Sequence, residues 1–199
     1  RLVKEVVQLG GRVRGLVPSW AIIGLRYFLD RPFFEHGMYI AFSDENYLHA
    51  ARLAEIKAGK FPDDVLVFGS DHVYKMDVSV MMAFHKDMNA DVTVATLPVP
   101  IKEASAFGVL HVDDTGRIID FVEKPAVPPE MPGKPGFALA SMGIYVFRPE
   151  ILRELLVGSP HADFGREVIP VSLGLCRVFA FPYDGYWTDI GTIPSFHQA

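Results

Sequence analysis

Cysteine is nearly absent from this 199-residue chain, where Cys176 stands alone. One thiol cannot close an intramolecular disulfide, and it cannot build a cysteine-based zinc site. A reducing, cytoplasmic setting is the simplest fit. Positive charge is also scarce. Lys and Arg number 19 against 24 Asp and Glu, a formal net charge of −5. A nucleic-acid backbone selects basic faces, so nucleic acid is not expected as the main partner. A small phosphorylated ligand needs only local positive charge and stays open. No apolar run is long enough to span a bilayer, so no membrane partner is expected. No His-x-x-x-His pair suggests zinc, and no serine carries the flanks of a nucleophile elbow. Internal repeats and low-complexity tracts are missing as well. The chain does not start with Met, and its end at Phe196-His-Gln-Ala199 reads as that of a fragment.

What is present points to a globular domain. Half the residues are hydrophobic and 22% are charged, a balance that folds rather than stays disordered. The length suits one domain over 1–199. From Val65 onward the pattern is clear. An apolar strand at 65–69 leads to a helix at 78–88, and a strand follows at 91–97. This is β-α-β and implies a parallel pair. Strands at 108–112 and 117–122 flank an Asp/Gly turn. Five prolines between 125 and 135 forbid a helix or a central strand there. A strand at 140–147, a helix from Pro149, a short helix at 163–171 and a strand at 175–181 complete the readable part. The resulting class is α/β, a mixed, mainly parallel sheet flanked by helices. Before Val65 the text is harder to read. A strand at 3–9 and a helix at 44–56 are expected there.

The stretch Val65-Leu-Val-Phe-Gly-Ser-Asp71 carries the most information. A buried strand ends at Gly69 and delivers a carboxylate at its C-terminal tip, where open α/β sheets bind ligands. Asp71 there is set to hold a divalent cation against phosphate oxygens. The plainer alternative is an acid that only caps the helix beginning near Asp77. Glu123-Lys124 follows a strand and precedes the proline loop. The pair could grip a sugar hydroxyl and a phosphate, or form only a weak surface ion pair. Asp189 lies among aromatics in Tyr186-Trp-Thr-Asp189. It serves either a shared cation site with Asp71 or the N-cap of a helix near Ile193. Gly10, Gly11, Arg12 and Arg14 form a glycine turn with two arginines, which suits a phosphate but is more often only a turn.

Taken together the motifs resemble a known family. FGSDHVYKMD (68–77), LPVPIKEASAFGVLHVDD (97–114), IIDFVEKPAVPPEMP (118–132), ALASMGIYVFRPEIL (138–152), HADFGREVIP (161–170) and GYWTDIGT (185–192) stand in the order of the glucose-1-phosphate adenylyltransferases of glycogen and starch synthesis. The resemblance runs from about Val65 to Thr192. It implies a Rossmann-like, GT-A-like nucleotidyltransferase domain. Its activity would join ATP and glucose 1-phosphate into ADP-glucose and pyrophosphate, with Mg²⁺ as cofactor. It implies Asp71 and Asp189 as metal acids, Asp71 and Lys124 as catalytic groups, and Glu123 and Lys124 on the sugar phosphate. Ser141, Gly143 and Tyr145 would line the sugar pocket, and Gly108 would admit the sugar. Gly10, Gly11, Arg12 and Arg14 would belong to the nucleotide loop. Homo-oligomers are implied too.

The N-terminal third departs from that pattern. The family loop reads Ala-Gly-Gly-x-Gly-x-Arg-Leu-x-Pro-Leu. Here Val13 replaces its third glycine and Gly15 replaces its arginine, with Arg14 next door. The interval from Gly11 to Asp71 is several tens of residues shorter, enough to remove a strand–helix unit. The N-terminal part of the sheet is therefore expected to be incomplete, and the family's C-terminal β-helix domain is expected to be absent from this chain. The alternative to an active enzyme is an impaired relic that binds sugar phosphate or serves assembly.

Overall fold

A computed structural model describes residues 38–43, 64–69, 72–156, 163–190 and 193–198. The expected strand at 3–9 and helix at 44–56 lie outside these residues. So do Asp71 and the loop residues Gly10, Gly11, Arg12 and Arg14.

Among the described residues nine strands form two sheets. They are β1 (Met38–Ser43), β2 (Asp64–Gly69), β3 (His72–Tyr74), β4 (Val92–Pro100), β5 (Gly108–Val112), β6 (Ile118–Glu123), β7 (Phe137–Phe147), β8 (Val178–Pro182) and β9 (Trp187–Asp189). Helices are α1 (Val78–Asp87), α2 (Pro149–Leu156), α3 (Ile169–Leu175) and α4 (Ile193–Gln198), with a π-helical turn at Phe164–Val168 leading into α3.

The larger sheet runs β1-β2-β7-β4-β8, and the β5–β6 hairpin joins it along β7. β1 pairs parallel with β2, and β4 parallel with β8. β7 runs antiparallel to both β2 and β4. So β1, β2, β4 and β8 share one direction and β7 opposes them, which makes the sheet mixed. One detail differs from the sequence reading. β2, α1 and β4 do form a β-α-β unit, but its two strands are not neighbours. β7 inserts between them, because its run of apolar residues can be buried on both faces.

Alternation along each strand divides the core. Val65, Val67, Val92, Val94, Tyr145 and Phe147 face α2, the π-helical turn and α3. Leu66, Phe68, Ala95, Ile144 and Val146 face Val78 and Met81 of α1. The period of two is what puts one face on each layer. Each large side chain buried this way is worth about 1.5–3 kcal/mol.

Local signals explain the helix ends. Asp77 caps α1, its carboxylate accepting from the Ser79 N–H at 2.9 Å and the Ser79 hydroxyl at 2.6 Å. The residue that makes this cap is Asp77. Pro170 stands in the first turn of α3, where a missing N–H costs nothing. α3 runs to Leu175, so the following strand starts at Val178 rather than at 175. The proline-dense segment forms a turn, with Met131 and Lys134 bridged and Lys134 Nζ 4.3 Å over the Phe137 ring.

Candidate active site

β7 carries a bulge at its middle. Val94 pairs with Tyr145 and Thr96 with Ser141, so Ala95 alone faces Met142, Gly143 and Ile144. Gly143 makes this possible with φ of +67°, a backbone shape that a Cβ opposes. The partner strand on the other edge changes at the same place. Phe68 near the end of β2 lies opposite Ile144, and Val109 at the start of β5 lies opposite Ala140. The end of β2, the start of β5 and the bulge thus converge, which is the kind of opening where α/β sheets bind ligands.

A polar cluster gathers on one side of the bulge. Glu123 ends β6 directly across from Gly108. A Cβ at Gly108 would lie 2.4 Å from the Phe121 ring and 2.9 Å from Glu123 Oε2. The room Gly108 leaves is therefore taken by Phe121 and Glu123. Gly165 completes the socket, since a Cβ there would lie 2.7 Å from the same Oε2. Burial raises the Glu123 pKa, with Lys124 opposing and Asp163 adding to the rise. Asp163 is itself fixed. It accepts from the Arg166 N–H at 2.8 Å, and its own N–H donates to Glu167 at 3.0 Å, a reciprocal cap.

Ser141 and Tyr145 meet this cluster from β7. Both are buried, and the Ser141 hydroxyl accepts the Gly143 N–H at 3.2 Å. The Tyr145 ring stacks on Phe164 at 5.7 Å. Its hydroxyl pKa is pushed up to about 12 by burial; a hydrogen bond with Ser141 opposes the rise, and the charges of Glu123 and Asp163 add to it. Lys124 stands at the rim. Its backbone has φ of +49°, uncommon for a side chain of this kind. Its N–H donates to the Phe107 carbonyl at 3.0 Å, which holds the turn. Lys124 Nζ is 3.9 Å from Glu123 Oε1 and the side chain is more than half exposed. So loose a contact leaves the ammonium mostly available to an anion. Carboxylates and hydroxyls beside an exposed cation suit a polyhydroxylated ligand that carries a phosphate.

The second cluster lies towards α1. β3 and β9 pair antiparallel, with His72 opposite Asp189 and Tyr74 opposite Trp187. Tyr183 ties this pair down, its hydroxyl donating to the Lys75 carbonyl at 2.9 Å. Trp187 contacts His72 and Phe107, with ring centroids at 5.1 and 5.2 Å. α4 begins at Ile193, four residues beyond Asp189. Among the described residues no group of three or more His, Cys, Asp or Glu could hold a metal ion. Of the two acids expected at a cation, the described residues place Asp189, opposite His72.

Of the residues expected from the sequence, Glu123, Ser141 and Tyr145 come together, with Gly108 and Lys124 against them. Gly143 and Asp189 belong with His72 on the other side. The sequence reading assigned no role to Asp163 or Gly165. The signal was there in Asp163-Phe-Gly-Arg-Glu167, a capping pattern interrupted by glycine.

Comparison with known proteins gives the family. Residues 35–199 match the family described as Nucleotidyl transferase, and the chain belongs to that family. The relatives it resembles are more specific. It is 47% identical to the glucose-1-phosphate adenylyltransferase of Thiobacillus denitrificans, over 69% of this chain and 34% of that protein. It is 46% identical to glucose-1-phosphate adenylyltransferase 1 of Vibrio parahaemolyticus, over 69% and 38%. It is 48% identical to glucose-1-phosphate adenylyltransferase 2 of Alkalilimnicola ehrlichii, over 68% and 35%. The chain spans little more than a third of the length of these curated relatives. The family read from six motifs is thereby borne out.

Proposed function

We propose that this chain carries the catalytic domain of a glucose-1-phosphate adenylyltransferase. It transfers AMP from ATP to glucose 1-phosphate and releases pyrophosphate, in glycogen or starch synthesis. A phosphate oxygen of the sugar phosphate attacks the α-phosphorus, and the bond to the bridging oxygen of pyrophosphate breaks. No protein nucleophile is needed, so the protein supplies position and charge. The observation that carries the reading is the convergence of Glu123, Ser141, Tyr145 and Asp163 beside the exposed Lys124.

In this reading Glu123, Asp163 and Ser141 take sugar hydroxyls, and Lys124 takes the phosphate. Asp71 and Asp189 hold Mg²⁺, with Asp71 joined by one peptide bond to His72, the partner of Asp189 in the strand pair. When bound, the ion neutralises charge on the phosphates. Gly10, Gly11, Arg12 and Arg14 serve the triphosphate. A cytoplasmic site of action and assembly into homo-oligomers complete the proposal. No helix among the described residues is long and apolar enough to cross a membrane.

Exchange of labelled pyrophosphate into ATP tests it. Exchange is expected only with ADP-glucose and Mg²⁺ both present. Binding of glucose 1-phosphate with no exchange would overturn it in favour of a binding relic.

A further inference from the structure

Lys124 keeps a backbone shape that two features of its own sequence oppose. Its φ of +49° lies in the left-handed region, where a Cβ is crowded. The next residue is Pro125, whose ring pushes the residue before it toward extended backbone with negative φ. A residue so strained stays put only where its surroundings over-determine it. Part of the hold is the Lys124 N–H, which donates to the Phe107 carbonyl at 3.0 Å.

Phe107 is well placed to supply it. Its own N–H closes a 3₁₀ turn onto the Ala104 carbonyl at 3.1 Å. Gly108 follows and has no side chain with which to anchor the start of β5. The Phe107 ring is the anchor instead. It packs against the buried cluster of Val99, Ala104, Val109, Ala138 and Ala140, and it meets the Trp187 ring edge-on at 5.2 Å. We propose that Phe107 is a positioning residue for Lys124. Wedged between that cluster and Trp187, the ring fixes the carbonyl that keeps Lys124 left-handed, and so keeps its ammonium beside Glu123, 3.9 Å from Oε1. It acts through the Lys124 backbone. This rests on the reading above of Lys124 as the cation for the sugar phosphate.

Glucose 1-phosphate is the probe, titrated calorimetrically into the full chain. Mg²⁺ and α,β-methylene ATP are present throughout, so that either order of binding is covered. A lysine released from such a hold leaves the left-handed region by about 5- to 30-fold. Apparent affinity falls with the fraction of chains still competent. Phe107→Ala should therefore raise the Kd about 5- to 30-fold. In the Lys124→Ala background it should add less than about twofold, because no ammonium is left to place. Additive losses would overturn the proposal, as would an unchanged Kd with only a lower melting temperature. Phe107→Leu keeps apolar volume but loses the edge-on contact, and a rise of about threefold or more is expected. If Phe107→Ala does not fold, Phe107→Leu decides alone, and a wild-type Kd overturns the proposal. Lys124→Ala separates the two ideas. If it leaves the Kd unchanged, the phosphate reading of Lys124 fails and takes this proposal with it. If it weakens binding while Phe107→Ala does not, only the role of Phe107 is lost.

Discussion

The two ends of the central sheet use the same residue types to opposite ends. At the foot, where β4 begins and β7 finishes, Asp91 is matched on every side. Arg177 donates to it through Nε and Nη2 at 3.0 Å each and through its backbone N–H at 2.9 Å. Arg148 adds a contact at 3.4 Å. Hydrogen bonds from Arg177 hold the Asp91 carboxyl below its ordinary range. At the bulge, Glu123 is half-buried and its carboxyl is pushed up by burial, against a Lys124 held only at 3.9 Å. Polarity at the foot is spent on the fold; polarity at the bulge is left for a ligand. Backbone strain divides the same way. Asn89, beyond the end of α1, has φ of +47°, which asparagine tolerates, whereas Lys124 has φ of +49°, which lysine rarely adopts.

The largest expected effect is at the bulge. Lys124→Ala should lower kcat/KM by about a thousandfold, or ~4 kcal/mol, mainly through KM for glucose 1-phosphate. Its melting temperature should barely move. Steady-state kinetics beside calorimetry checks this, and a selective effect on ATP would break the assignment.

Next comes a pH dependence at the foot. His85 is buried, with Nδ1 2.7 Å from the Thr93 hydroxyl and Nε2 3.7 Å from Asp64. Burial, aided by Arg148, pushes its pKa down from 6.5 to about 4. Between those values the unfolded chain takes up a proton that the native chain refuses. Stability should therefore fall as the pH drops through that window, by about 3 kcal/mol in all. Urea melts of the protein and of His85→Gln should diverge there, the wild type losing more. Parallel profiles would remove His85 as the cause.

Asp91→Asn should cost roughly 2 kcal/mol of stability and leave kinetics nearly unchanged. It should also flatten the acid limb. A depressed carboxyl stabilises above its unfolded pKa and stops doing so as pH falls through the folded one. Loss of activity without loss of stability would reverse the contrast between the two ends.

The smallest effect separates two glycines in one short region. Gly165→Ala pushes only on the mobile end of Glu123, so about 0.5 kcal/mol of stability and a few-fold rise in sugar-phosphate KM are expected. A Cβ on Gly174 meets nothing within 4 Å, and Gly174→Ala in α3 should stabilise by about 0.5–1 kcal/mol. Equal responses in melting and KM would erase the distinction.

Much of this could be read from residue order. The strands at β2, β4 and β7 follow from local apolar runs, the loop before Phe137 from its prolines, and Glu123-Lys124 from its place between strand and loop. Asp163 and His72 were harder: the local pattern at Asp163-Phe-Gly-Arg-Glu167 marks a helix cap, but the groups that either residue meets at the site lie far off in sequence. Their partners are Glu123, forty residues before Asp163, and Gly143 and Trp187, both far beyond His72. β1 also falls where no clean period marks a strand.

The order of residues by itself determined the family, the class of fold and most of the polar groups at the bulge. Each depends on short-range pattern, such as a period of two, a proline, or a glycine before an acid. Only the folded chain decided that β7 lies between β2 and β4, that Gly143 bulges, and that His72 packs against it. Those outcomes are pairings between distant segments, settled by how buried faces and volumes fit together.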